Sequence, residues 1–349
     1  MVLSRGYDFI IQWHLTEKCN LKCRHCYQEG KHVEEMALPE IKRVVRDLTE
    51  TIRAWQDSYQ LEFSSSFNIT GGEPFLREDF FEILETLAET GFDLYVLSNG
   101  AVVTPERARR LADAGVKEVQ VSLEGPEPVH ELIRGRGSFA ATLTGVRRLL
   151  EAGMKVSLNA TLSRVNAPYL TDLINLAQSL RVQSFGFSRL VPSGRGLALL
   201  DSLLAPGEVK DLYETAFSLK LEGLEVSSGD PVASQMAEAA EGDAGDIASG
   251  GCAAGVAGIT ILPDGTVLPC RRLPIPLGNL REDSFREIWA TSPVLEALRD
   301  RSRYHGKCRA CPRWALCRGC RAMAYAFSQS QGTLDYLGED PQCFIPGPP

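Results

Sequence analysis

The first half of the chain repeats one rhythm: a short β-type run, a polar or glycine-bearing tip, then a helix. "DFIIQWHLT" is the first strand, followed at once by a cysteine-bearing loop; "LPEIKRVVRDLTETIRAW" reads as a helix with Pro39 near its start. "FNIT" is a strand ending at Gly71, "REDFFEILETLAETG" a helix closed by Gly91, and "DLYVLSNG" a strand. The helix "TPERARRLADAG" starts with Thr104 as cap and Pro105 behind it. Then come the strand "VKEVQVSLEG", the helix "SFAATLTGVRRLLEAG", the strand "KVSLNATLS", the helix "APYLTDLINLAQSL" and a sixth strand, "VQSFGFSRLVP". Six strands separated by helices predict a parallel sheet with crossover connections. Thr16, Gly71-Gly72-Glu73, Ser98-Asn99, Ser122, Asn159 and Ser188-Arg189 fall at the strand tips. In a barrel-like α/β fold those tips make the active face, which favours a barrel or partial barrel over a doubly wound sheet.

After Gly194 the character changes. "PGEVKDLYETAFSLKLEG" is one more helix, and residues 236–258 are small, acidic and glycine-rich, which predicts a loose connection. "GITILPDGTVLPC" reads as a hairpin around Asp264-Gly265 that ends on Cys270. The remainder is cysteine-dense and light on periodic structure, as expected of a segment held by metal coordination rather than by a large core. A chain of 349 residues accommodates this division: 1–195 as an α/β partial barrel, 196–250 as a helical and flexible bridge, and 251–349 as a small cysteine-rich domain. Formal charge is −8 with no sustained Lys/Arg block, which argues against a nucleic-acid groove. "MVLSRGYDFI" has no secretory apolar region, and no uncharged stretch nears the roughly 20 residues that span a bilayer. The expected setting is the reducing cytoplasm, where ten cysteines point to metal or catalysis before disulfides.

Cys19, Cys23 and Cys26 sit within "LTEKCNLKCRHCYQEG" with no fourth cysteine nearby. Three thiolates on a four-iron cluster leave one iron open to a substrate or cofactor. At the other end, "CRACPRWALCRGC" places Cys308, Cys311, Cys317 and Cys320 as paired CxxC knuckles, which taken alone fit a four-cysteine zinc site. Cys252, Cys270 and Cys343 count against that closure, because two four-iron clusters would take eight thiolates and seven are present.

"CNLKCRHCY" resembles the CxxxCxxC signature of the radical S-adenosylmethionine (radical SAM) superfamily, and "TGGEP" at residues 70–74 resembles its second motif. The resemblance covers roughly residues 10–195 and implies a partial (β/α)6 barrel, with Cys19, Cys23 and Cys26 holding a [4Fe–4S] cluster whose open iron binds SAM. It further implies that Gly71, Gly72 and Glu73 receive the methionyl amine of SAM, and that Arg134, with Ser122 as a second contact, receives its carboxylate. Tyr27 and Leu190 are expected on the adenine side and Ser98 and Asn99 near the ribose; His14, Asn159 and Arg189 are further candidates to face the cavity. The downstream cysteines resemble a SPASM domain, except that Cys320 follows Cys317 after two residues instead of three. By that resemblance Cys308, Cys311, Cys317 and Cys343 hold a distal auxiliary cluster, and Cys252, Cys270 and Cys320 one nearer the barrel. The cofactors implied are therefore SAM and three [4Fe–4S] clusters. The acid–base residue stays unassigned.

SPASM-bearing enzymes mostly act on peptides or proteins, so the resemblance implies a maturase that forms a thioether or related crosslink, or oxidises a side chain. The partners implied are a ribosomally made peptide, cysteine-rich in one form of this reading, and a flavodoxin- or ferredoxin-type electron donor. With the first strand close to Met1, leader recognition is expected to use a separate protein or the barrel surface. "CRGCRAMAYAFSQSQGTLDYLGEDPQCFIP" also resembles the tail of enzymes of alternative haem and haem d1 synthesis, which makes tetrapyrrole side chains the alternative substrate. A non-enzymatic iron–sulfur protein is the remaining class; it would have no need of "GGEP" beside a three-cysteine loop.

Overall fold

The structure, a computed structural model, describes residues 7–30, 32–219, 221–236 and 247–346. Its centre is one ten-stranded sheet in the order β10-β9-β8-β1-β2-β3-β4-β5-β6-β7. The strands are β1 (Tyr7–His14), β2 (Phe63–Thr70), β3 (Asp93–Ser98), β4 (Glu118–Ser122), β5 (Lys155–Leu162), β6 (Ser184–Arg189), β7 (Glu225–Ser227), β8 (Gly258–Ile261), β9 (Thr266–Leu268) and β10 (Gly278–Asn279). β1 to β7 are parallel in chain order, with α1 (Leu38–Tyr59), α2 (Phe80–Ala88), α3 (Pro105–Asp113), α4 (Glu127–Arg134) with α5 (Ser138–Glu151), α6 (Leu170–Ser179) and α7 (Pro206–Ser218) as the crossovers. This is the partial α/β barrel expected.

The period-two alternation of the strands separates two environments. On β1, Phe9, Ile11 and Trp13 belong to the main apolar core, while Gln12 alternates with them and lines the polar cavity of the barrel. Gln12 is buried with them; a polar side chain so placed belongs to a site, not to a solvent face. Thr104 caps α3 as its sequence implies, accepting a bond from the Arg107 amide at 3.1 Å.

Three features differ from the sequence expectation. A seventh barrel strand, β7, follows α7; its three residues are too few to show a period. The cysteine-rich segment is not light on helix: it carries α8 (Phe285–Thr291), α9 (Pro293–Arg299), α10 (Lys307–Ala310) and α11 (Arg321–Ser330). Nor does it rely on metal alone. Phe285 and Trp289 of α8 pack on Phe9 and Trp55, with ring centres 5.2 Å apart for Phe9–Trp289 and 5.5 Å for Trp55–Phe285, so this segment helps build the barrel core. The expected hairpin is present as antiparallel β8 and β9, turning at Gly265 with φ +88°. Its first strand also joins the barrel sheet, pairing parallel to β1 with Ile10 opposite Gly258. Of the loose connection expected at 236–258, residues 237–246 lie outside the described residues.

Candidate active site

The loop after β1 and the tip of β2 are joined through their backbones. The Gly72 amide donates to Thr16 O at 2.7 Å and the Glu73 amide to Lys18 O at 2.8 Å. Both glycines are required for this approach. A Cβ on Gly71 would stand 2.5 Å from Thr16 O, and one on Gly72 2.2 Å from Lys18 O; Gly71 also has φ +148°. The motif "GGE" thus fixes the start of the cysteine loop against the strand tip that carries Glu73.

Glu73 is fully buried. Its carboxylate accepts from Ser98 Oγ and from the Asn99 amide, each at 2.9 Å. Burial pushes its pKa up to about 7 against the pull of those bonds. The Ser98 hydroxyl, expected near a ribose, is therefore engaged with Glu73, while Asn99 Nδ2 donates to Asn20 Oδ1 at 2.9 Å and lies 4.0 Å from Cys19 Sγ.

Arg134, the last residue of α4, commits two nitrogens to Glu124: Nε at 2.9 Å and Nη2 at 2.5 Å, both to Oε1. Its third nitrogen, Nη1, points to Cys23 Sγ at 3.8 Å. Glu124 is fully buried, approached also by His25 Nε2 at 3.4 Å and by the Thr161 amide at 2.8 Å. Burial alone would raise its pKa; Arg134 and His25 outweigh that and hold it well below the usual carboxylate range. Arg195 donates from Nε to Cys23 O at 3.2 Å. Glu124, His25 and Arg195 were not singled out in the sequence. They come from a strand tip, the cysteine loop itself and the segment after β6, and only folding brings them together.

A cavity of about 560 Å³ opens at these strand tips, within the usual size of a small-molecule site. Cys19, Cys23, Cys26, Tyr27, Gly71, Gly72, Ser98, Asn99, Ser122, Asn159 and Leu190 all line it, as does Arg134. Glu73 reaches the site only through Ser98 and Asn99. His14 stands behind Tyr27, its Nε2 3.4 Å from the phenol oxygen. Arg189 does not line the cavity: it is buried in an ion-pair network, with Nε 2.7 Å from Asp230 Oδ2 and Nη2 2.8 Å from Asp340 Oδ2.

The seven downstream cysteines fall into two neighbourhoods. The Gln235 amide Nε2 donates to Cys343 Sγ at 3.3 Å and Cys317 Sγ at 3.6 Å, and Cys308, within α10, feels the charge of Cys343. Cys311 closes the same turn as Cys308, its amide donating to Cys308 O at 3.3 Å. Cys270 packs with Cys320 in one apolar cluster and with Cys252 in another. The two-residue spacer between Cys317 and Cys320 spans from one neighbourhood to the other. Arg318 (φ +61°) and Gly319 (φ +60°) both take the left-handed conformation there, and Arg318 is held by a hydrogen bond to Cys252 O.

All ten cysteines are free thiols, and among the described residues no three acidic, histidine or cysteine side chains converge on a single ion. A multi-iron cluster takes one thiolate per iron and needs no such convergence. Burial pushes the Cys19 thiol up to about 11 and Cys320 up to about 12, so these sulfurs ligate only where metal displaces the proton. N–H donors already face several of the cysteine sulfurs, among them the Leu21 amide to Cys19 at 3.4 Å, Arg134 to Cys23 at 3.8 Å, and Arg321 to Cys308 at 3.7 Å. The donor set fits iron–sulfur clusters.

Residues 13–177 match the family model of the radical SAM superfamily, and residues 252–312 match that of SPASM, an iron–sulfur cluster-binding domain. The chain is 31% identical to the AdoMet-dependent heme synthase of Methanosarcina barkeri over 99% of both chains. The chain belongs to the radical SAM superfamily. It is also 30% identical to the mycofactocin maturase MftC of Mycobacterium tuberculosis, over 97% of this chain and 84% of that one. The crystal structure of Streptococcus suis SuiB bound to S-adenosylmethionine shares the fold, with a TM-score of 0.72 and 18% identity over 97% of this chain and 78% of that one. This radical SAM enzyme therefore has a partial barrel, a SPASM domain, and the [4Fe–4S] and SAM chemistry that the superfamily implies. No helix among its described residues is long and apolar enough to cross a membrane.

Proposed function

We propose that this radical SAM enzyme modifies a ribosomally made peptide, by a crosslink or the oxidation of a side chain, at the cavity between the Cys19–Cys26 loop and the Cys270 hairpin. The observation that carries this reading is the cavity itself: one wall is the three-cysteine loop, another is Arg271 and Arg272 of the SPASM domain, and a substrate would lie between. The similarity to mycofactocin maturase over almost the whole chain supports a peptide substrate.

In this reading Cys19, Cys23 and Cys26 hold the SAM-binding cluster; Cys308, Cys311, Cys317 and Cys343 hold a distal auxiliary cluster; and Cys252, Cys270 and Cys320 hold a nearer one. Held there, the first cluster and SAM would supply radical hydrogen-atom abstraction from the substrate. The backbone of Gly71 and Gly72 receives the methionyl ammonium, and ionised Glu73, behind Ser98 and Asn99, compensates its charge. Arg134 and Ser122, with Arg195 as an added donor, face the methionyl carboxylate. Glu124 fixes Arg134 and keeps its charge compensated in a buried site. Tyr27 and Leu190 enclose the adenine side and exclude water, and Asn99 is left for the ribose. The electron comes from a flavodoxin- or ferredoxin-type donor in the cytoplasm.

The match to heme synthase over 99% of both chains favours a second reading, the modification of tetrapyrrole side chains. One experiment separates them. Anaerobically reconstituted enzyme, with SAM and a low-potential reductant, is given either a short peptide encoded beside its gene or a carboxylated porphyrin, and products are weighed by mass spectrometry. A mass change in the peptide supports the first reading; a change confined to the porphyrin replaces it. The wild-type enzyme is expected to carry roughly eleven to twelve irons. Cys23→Ala is expected to keep the auxiliary iron and form no 5′-deoxyadenosine; about four irons with tightly bound zinc in the wild type would refute the auxiliary clusters.

A further inference from the structure

One wall of the cavity carries more positive charge than the roles above use. Arg271 and Arg272 follow Cys270 directly and both line the cavity. Arg271 Nη1 donates to Gln12 Oε1 at 2.7 Å, and its Cζ stands 5.8 Å from the centre of the Tyr27 ring. A guanidinium can only donate, so Gln12 must present its oxygen there, and its amide nitrogen faces away. That nitrogen is buried without a hydrogen-bond partner. Two joined side chains thus leave donors unmet and offer no acceptor.

Arg272 is differently placed. It donates to Arg189 O at 3.4 Å and faces the Cys320 and Cys270 thiols and Asp230, which offset its charge. The groups that act most on Arg271 are Arg272, Tyr27, Cys270 and Cys320, with His14 also close enough to feel its charge; the Arg272 cation is the strongest of them, and none is a carboxylate. Arg134 is already paired with Glu124. Arg271 therefore lines the cavity with no carboxylate bonded to it among the described residues. Apart from its bond to Gln12 the guanidinium has no hydrogen-bonding acceptor among them, and its remaining fork of N–H donors matches the two oxygens of a carboxylate.

We propose that Arg271, with Gln12 behind it, binds a carboxylate carried by the substrate. This rests on the reading of the cavity as the site of SAM and substrate, in which the one carboxylate of SAM is met on the Arg134 side. The same chemistry has two sources: the C-terminus or an acidic side chain of a peptide, or a propionate of a tetrapyrrole.

The test uses reconstituted holoenzyme with SAM in equilibrium dialysis. One pair of probes is a tetracarboxylate porphyrin and its tetraamide; the other is N-acetyl-phenylalanine and its amide. Wild-type enzyme is expected to retain an acid and not the matching amide, and which acid it retains assigns the source. Arg271→Gln weakens that binding by about tenfold or more, and Arg271→Lys, which keeps the charge but not the fork, by about threefold. Iron content matching wild type shows that each variant is folded. Retention of neither acid, equal retention of acid and amide, or unchanged affinity in a folded variant overturns the proposal. Wild-type enzyme that forms no 5′-deoxyadenosine refutes the SAM reading separately, since the dialysis result does not depend on turnover.

Discussion

Lowering the pH is expected to release SAM through Glu73. Its carboxyl is fully buried and titrates near 7, because burial penalises the charged form more than the Asn99 and Ser98 bonds favour it. In the proposed reading the ionised carboxylate, acting from behind Ser98 and Asn99, compensates the ammonium of SAM, so affinity present above pH 7 is lost as pH falls through that value. The α-amino group of SAM loses its own proton near pH 7.7–8.0, which removes affinity on the alkaline side. Multiplying the two charged fractions puts the optimum near pH 7.5, with binding about sixfold weaker at pH 6 and about ninefold weaker at pH 9. Radiolabelled SAM in anaerobic equilibrium dialysis, with iron content checked at each pH, measures both limbs. Glu73→Gln should abolish the acid limb and keep the alkaline one. A flat affinity between pH 8 and 6, or an acid limb surviving in Glu73→Gln, refutes the reasoning.

Gly72→Ala forces its new Cβ to 2.2 Å from Lys18 O; the strand tip must retreat and give up the Glu73–Lys18 and Gly72–Thr16 backbone bonds. The expected loss is about 2–4 kcal/mol in denaturant unfolding of the apoprotein, with SAM binding impaired beyond it. Arg189→Met removes the cation bonded to both Asp230 and Asp340, leaving these buried anions only the unbonded charges of Arg272 and Arg321, and should destabilise by about 3–5 kcal/mol in the same assay. Because Asp340 also accepts the Cys320 amide at 2.9 Å, that variant should lose auxiliary iron before it loses the iron of the Cys19–Cys26 loop.

The sequence disclosed those parts of the site whose chemistry lies in local spacing. Cys19, Cys23 and Cys26 sit on one loop, and Gly71-Gly72-Glu73 on one strand tip, so their pattern survives without a fold. Glu124 carried no such signal, since its significance comes from Arg134, His25 and the Thr161 amide, each on a different element. Arg271 was hidden in the same way, gaining its meaning from Gln12 on a strand at the other end of the chain. Among the elements, long periodic helices such as α1 were readable, whereas three-residue β7 was not. Arg189 looked like a strand-tip candidate because position alone cannot say whether a side chain meets solvent or two buried aspartates.

The pairing of β8 with β1 has a consequence for how the polypeptide is made. β1 begins at Tyr7, but its neighbour on one side starts only at Gly258. At typical synthesis rates of about 5–20 residues per second, that flank of β1 stays an open edge for tens of seconds while the other strands add to the far side. Open edges invite pairing with foreign strands. The nascent enzyme thus passes through an aggregation-prone stage that ends when the hairpin of the cysteine-rich segment docks, so this segment also acts as the seal of the barrel during biogenesis.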